Sequence, residues 1–156
     1  MGTRSRIGIK LTNGNILSAY HHYDGYPQWL GKKLVENFNS YEDASELIDG
    51  GDMSVCHTTD TWGSNVIYQT IVKSDGTTVR RALKNEDGTT MYDTQKEVPS
   101  PLYYSERGES GVEPRIDETL NEYLNNGEEY AYVFENDSWV CYDLHNEQPV
   151  VVSIPS

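Results

Sequence analysis

The pattern of this chain predicts an α+β fold: antiparallel β-hairpins forming a sheet, with two to three short helices, in a single domain. Three observations carry that expectation. Apolar residues alternate near both ends of the chain, each time around a tight-turn signal, Asn13-Gly14 and Asn136-Asp137. From Leu30 to Ile48 the apolar spacing becomes that of a helix. The length, 156 residues, suits one domain, which at this size buries about 70% of its unfolded surface without a metal or disulfide staple.

The first element is a hairpin, Arg4 to Leu11 and Ile16 to Tyr23, turning at Asn13-Gly14. A two-residue turn there pairs Ile7 with Tyr20 and Ile9 with Ser18 on a core face. It places Arg4 opposite Tyr23, Arg6 opposite His21 and Gly8 opposite Ala19 on the other face. Asp24-Gly25-Tyr26-Pro27 reads as a turn and a helix start, followed by Leu30, Leu34, Val35 and Phe38 at helical spacing. Asn39-Ser40 offers a cap for a second helix with Ala44, Leu47 and Ile48 inward, ended by Gly50-Gly51.

Asp52 to Asn65 reads as a polar loop. Val66 to Val72, Thr77 to Leu83 and Thr89 to Asp93 then form a three-strand meander, an insertion spanning about 66–96, with turns at Asp75-Gly76 and Asp87-Gly88. Gln95 to Pro114 is expected as an exposed connection. Asp117 is expected to cap a helix carrying Ile116, Leu120, Tyr123 and Leu124, closed by Gly127. The last hairpin pairs Phe134 with Trp139 and Tyr132 with Cys141, and the tail from Val150 to Ile154 adds an edge strand.

A formal net charge of −13, from 25 acids against 12 bases, sets nucleic acid and anionic membrane aside as broad partners, because the mean field repels both. No stretch approaches the roughly 18 apolar residues that span a bilayer, and the start of the chain has no leader-type apolar region, so a cytoplasmic setting is expected. Cys56 and Cys141 make neither a metal pair nor a disulfide framework. The spacing of Asp52, Cys56, His57 and Asp60 matches no standard metal pattern. No catalytic residue, metal or cofactor is assigned.

The chemistry-bearing cluster is Arg4, Arg6, His21, Tyr23, Asp24 and Tyr26. Two guanidinium groups can hold a phosphate or carboxylate in bidentate fashion, and aromatic rings can hold a base. Gly8 and Ala19 would leave room on this face for something flat. Arg107, between Glu106 and Glu109, would complete the anion clamp. The bland alternative pairs these arginines with surface acids, where ion pairs contribute little. His22, adjacent to His21, would turn to the core side.

Ser5-Arg6-Ile7-Gly8, Tyr20-His21-His22-Tyr23-Asp24-Gly25-Tyr26-Pro27 and Arg107-Gly108-Glu109 together resemble a family of small tailed-phage and prophage proteins of unsettled function. That family's motifs read S-R-I-G, H-[WY]-D-G-Y-P and R-G-E; Trp is the usual residue where this chain has Tyr23. The likeness covers roughly residues 3–54 and 102–144, and the segment near 66–96 looks like an addition to it. The resemblance implies an accessory protein in the host cytoplasm that counters host defence. The expected function is capture of a small nucleotide-like anion without altering it, with a homo-oligomer or a host defence protein as further partners. Two other classes stay open. One is a hydrolase of a nucleotide-like signal, metal-dependent or not, using His21 with Asp24 or Glu106. The other is an acidic protein-binding inhibitor or DNA mimic.

Overall fold

The first hairpin joins β1 (Ser5–Lys10) to β2 (Ile16–His21). In the computed structural model, which describes residues 3–59, 68–89 and 98–155, its turn has three residues rather than two. The Leu11 N–H donates to the Asn15 carbonyl at 2.8 Å, and the Gly14 N–H to the Leu11 carbonyl at 2.9 Å. Gly14 takes a φ of +90°, whereas Asn13 stays out of the left-handed region and accepts the Asn15 N–H on Oδ1 at 3.0 Å. That φ strains any side chain, so glycine closes the turn as a bulge. The consequence is a register one residue away from the expected one. Arg6 lies opposite Tyr20, Ile7 opposite Ala19, Gly8 opposite Ser18, and His21 opposite Ser5. A one-residue slip exchanges the two faces, so the expected pairing of Arg6 with His21 is corrected.

The chain divides into two compact units, Met1–Thr58 with Ser100–Ser156, and Thr59–Pro99. In the first, β3 (Met53–Thr58) lies parallel to β2. In the second, β4 (Tyr68–Val72) and β5 (Thr78–Ala82) form an antiparallel pair. Its turn repeats the first hairpin's device: Lys73 N–H to Thr77 carbonyl at 2.8 Å, and Gly76 N–H to Lys73 carbonyl at 3.0 Å. Asn85 and Thr89 close a further such turn. Residues 66–67 and 90–93 of the expected meander lie outside the described residues.

Back in the first unit, β6 (Ser100–Tyr103) pairs antiparallel with β3, and β7 (Arg115–Asp117) pairs with the start of β2. β8 (Tyr130–Glu135) and β9 (Ser138–Asp143) close through Asn136 and Asp137, both at positive φ, with Phe134 opposite Trp139 and Tyr132 opposite Cys141 as expected. β8 runs parallel to β1, and β10 (Val150–Val152) makes an edge beyond β9. The sheet is therefore mixed, in the order β10-β9-β8-β1-β2-β3-β6. Two segments expected to be irregular, 52–65 and 95–114, contain β3 and β6. Met53 and Cys56 are fully buried, and the partners of their strand are remote in sequence.

One face of the sheet, with Ile7, Ile9, Ala19, Tyr132 and Phe134, is covered by helices. Pro27–Gly31 makes one wide π-type turn that leads into α1 (Lys32–Asn37), and α2 (Tyr41–Asp49) follows. Ser40 caps α2 by accepting the Asp43 N–H at 3.1 Å. Leu30, Leu34, Leu47 and Ile48 seal the core beneath. The opposite face holds Ile16, Ala131 and Val133, with Arg6, Gly8 and Ser18 alternating onto the same side. It is closed by α3 (Leu120–Leu124), whose cap is Thr119 rather than Asp117, because Asp117 is engaged in β7. Gly8 does not leave room for a ligand. A Cβ there would lie 3.0 Å from Tyr123 Cζ and 2.9 Å from Ile16 Cγ2, so the Tyr123 ring fills the space. Ala19 belongs to the other face. Among the described residues, no helix is long and apolar enough to cross a membrane.

Candidate functional site

The hairpin register decides which candidates can meet. Arg6 and His21 stand on opposite faces of the sheet, so the expected cluster divides into three neighbourhoods.

Arg6 lies on the α3 side and is only 8% exposed. Its Nε donates to Ser18 Oγ at 3.0 Å and its Nη2 to the Ser18 carbonyl at 3.2 Å. Burial, followed by the charge of Arg115, pulls its guanidinium below the ordinary arginine value. Among the described residues it forms no salt bridge. Arg115 stands on β7 opposite Ser18, with its Nε 3.2 Å from Asp117 Oδ2. Arg4, exposed just before β1, is fixed by backbone: its N–H donates to Glu129 Oε2 at 2.9 Å, and its carbonyl accepts the Glu129 N–H at 3.0 Å. Register, burial and backbone thus gather three cations around the start of β1.

Carboxylates border this group without closing on Arg6. Asp52 accepts the Tyr20 N–H on Oδ1 at 3.0 Å, and burial is the first cause raising its carboxyl. Glu128 is also raised by burial, against the charges of Arg4 and Arg6, and its Oε2 is enclosed without a hydrogen-bond partner among the described residues. Tyr20 stands beside them, its hydroxyl pushed up to about 12, first by burial. It lies 2.7 Å from His22 Nδ1. His22 is therefore on the side expected for His21.

His21 is structural in its surroundings. It is fully buried, and its Nε2 accepts the Cys56 N–H at 3.1 Å. That bond places the ring proton on Nδ1, which has no partner among the described residues. Burial holds its pKa down to about 3, so the ring is neutral near neutral pH. It cannot serve as a surface acid or base from this position.

Tyr23, Asp24 and Tyr26 occupy the turn after β2. Tyr23 is 48% exposed and packs edge-on against His22, with ring centroids 4.5 Å apart. Asp24 takes a φ of 54°, and its charge holds the Tyr26 hydroxyl above its usual range. Gly25 is a packing device: its N–H donates to the Thr3 carbonyl at 2.8 Å, and its carbonyl accepts from Tyr132 Oη at 2.7 Å. The side chain of Arg107 lies outside the described residues. Glu106 accepts the Tyr103 N–H at 3.0 Å and so caps its own 3-10 turn. Asp60 of the loose metal set also lies outside, and no group of three ligating side chains is present among the described residues.

The sequence pointed to Arg4 and Arg6; the structure sets Ser18, Arg115, Glu128 and Asp52 around them, of which the sequence reading had singled out only Asp52 for chemistry, in the metal set. Only the correct register assigns Ser18 to Arg6, and only the pairing of β7 with β2 brings Arg115 across. No family model matches the chain, and no curated protein or solved structure matches it at a significant level.

Proposed function

We propose that this chain binds a small phosphate-bearing, nucleotide-like anion and holds it without turnover, with Arg6 as the anchor and Arg4 and Arg115 beside it. One observation carries this reading: among the described residues, a nearly buried guanidinium is hydrogen-bonded only to a neutral serine and its backbone. A cation withdrawn from water costs free energy until a counter-charge meets it, and an arginine fork matches phosphate oxygens. The surrounding acidity suits a small ligand, since polymeric nucleic acid would be repelled. The motif resemblance supplies the setting, a phage accessory protein acting against host signalling. Tyr23 and Tyr26 keep the base or sugar contact and Asp24 that of a ribose hydroxyl, whereas His21, fully buried, is withdrawn from the ligand.

The test is calorimetry and thermal unfolding with inorganic phosphate and adenosine monophosphate at constant ionic strength. Binding should raise the unfolding temperature of the wild type, approaching about 2.7 kcal/mol at a hundred-fold excess over Kd. Arg6→Met should abolish the rise, Arg6→Lys should retain part of it, and the nucleotide should be recovered intact. An undiminished response in Arg6→Met removes Arg6 as the anchor, and a cleaved nucleotide turns the reading into that of a hydrolase.

A further inference from the structure

A second place in the first unit has chemistry opposite to the arginine group. Between the end of α1, the outer side of α2 and β6 lies a cleft of about 480 Å³. Phe38, Leu47, Pro101 and Tyr103 give it an apolar floor, and Asp43 and Glu46 stand at its rim. These two acids are three positions apart, which places them together on one helix face. Both are exposed, and neither forms a salt bridge among the described residues. Among the described residues, no lysine or arginine lines the cleft.

The floor is held in shape before anything enters. The Tyr103 hydroxyl donates to the Leu47 carbonyl at 2.7 Å, tying β6 to the last turn of α2. Gly50 lets the ring lie against the helix end, since a Cβ there would meet the Tyr103 ring carbons. The charge placement runs against the helix itself. The last turn of α2 carries Glu46 and Asp49 and no base, so negative side chains sit at the negative end of the helix dipole. The same acids help raise the Tyr103 hydroxyl, after burial. A local rule broken in this way is expected where function requires it.

We infer that this cleft is a docking site for a basic, apolar-anchored segment of a partner protein. An apolar side chain of the partner enters the Phe38, Leu47, Pro101 and Tyr103 floor, and an arginine or lysine head lies between Asp43 and Glu46. Charge complementarity selects this occupant: among the described residues the charged groups lining the cleft, Asp43 and Glu46, are both acidic, and the chain's charge of −13 draws cations toward it. The inference is independent of the anion-binding reading, because it uses none of the same residues.

The probe is the capped peptide acetyl-Leu-Arg-Phe-Lys-Leu-amide, with a counterpart carrying Glu in place of Arg and Lys. Each is titrated into the isotopically labelled full chain and followed by backbone amide shifts. The basic peptide should perturb Phe38, Leu47, Gly50 and Tyr103 saturably, and the acidic one should not. The surface variant D43N/E46Q should keep the wild-type spectrum elsewhere and bind at least ten-fold more weakly. Absence of binding, shifts centred on another surface, or equal affinity in D43N/E46Q would overturn the assignment. Concentration-dependent shifts of the same residues without peptide, together with a dimer in sedimentation, would overturn it in favour of a second copy of this chain.

Discussion

The backbone N–H of Cys56 donates to Nε2 of His21 at 3.1 Å, joining β3 to the end of β2 across the core. The bond requires a neutral imidazole, and burial keeps it neutral by lowering the pKa from 6.5 to about 3. Between these two values the unfolded chain holds a proton that the folded chain refuses. The contribution of His21 is therefore fully present above pH 6.5 and falls as the pH is lowered toward 3, by up to about 1.4 kcal/mol per unit. Urea unfolding at pH 7.5, 6.5 and 5.5 should show this loss. His21→Gln keeps an acceptor for Cys56 without a titrating group, so it should be less stable at pH 7.5 yet show a shallower decline. An unchanged slope in that variant would remove His21 as its source.

Gly8 and Tyr123 form one packing unit on the other face. The Tyr123 hydroxyl donates to the Tyr132 carbonyl at 2.7 Å and lies 3.0 Å from the Arg6 carbonyl. Gly8→Ala should cost about 1–3 kcal/mol through overpacking, and Tyr123→Phe about 1 kcal/mol through the lost hydrogen bond. Because the added Cβ would stand 3.0 Å from Tyr123 Oη, removing that oxygen relieves part of the clash. The double variant should then lose less than the two single losses together. Strict additivity in denaturant midpoints would show that the ring does not occupy the Gly8 position.

What was legible in the sequence follows from how local each feature is. The hairpin of β8 and β9 was readable to the residue, since Asn136 and Asp137 both take positive φ and leave one register. The first hairpin was readable as a hairpin but not in register. Asn13-Gly14 serves a two-residue turn or the last two places of a three-residue one, and the Asn13 side chain's bond to the Asn15 N–H accompanies the second. That single residue exchanged His21 with His22 and dispersed the expected site. β3 and β6 were illegible because each finds its partner far along the chain. Arg115 and Glu128 carry no local mark of their proximity to Arg6. Their placement depends on β7 and on the approach to β8.

Glu128 provides a test of the charge balance around Arg6. Burial raises its carboxyl despite the nearby arginines, so the ionised form is disfavoured in the folded chain. Its contribution to stability is therefore best below the unfolded value and is lost as the pH rises through the folded one. Glu128→Gln should raise the unfolding temperature at pH 7, and the gain should vanish near pH 4, where the carboxyl is protonated in both states. On the anion-binding reading, it should also strengthen the response to phosphate by removing a like charge. A lower unfolding temperature at pH 7 would mean that attraction to Arg4 and Arg6 outweighs desolvation.

His145 behaves in the opposite sense to His21. Its Nδ1 lies 2.7 Å from Asp143 Oδ1 and its Nε2 3.3 Å from Glu129 Oε1, and the bonds to these carboxylates, Asp143 first, raise its pKa above 6.5. Protonated, the ring donates from both nitrogens and ties the end of β9 to Glu129, which also accepts the Arg4 N–H. Its stabilisation is fully present below the unfolded pKa and is lost as the pH rises through the folded one. A proton NMR titration of the ring should place His145 above a free histidine. Asp143→Asn should lower that midpoint more than Glu129→Gln, because Asp143 makes the shorter contact and its hydrogen bond does most to raise the ring. High salt should shrink both effects, as expected for groups this exposed to solvent. A midpoint unmoved by Asp143→Asn would show that the ring is held by Glu129 and by the edge-on Tyr130 ring, whose centroid is 5.2 Å away.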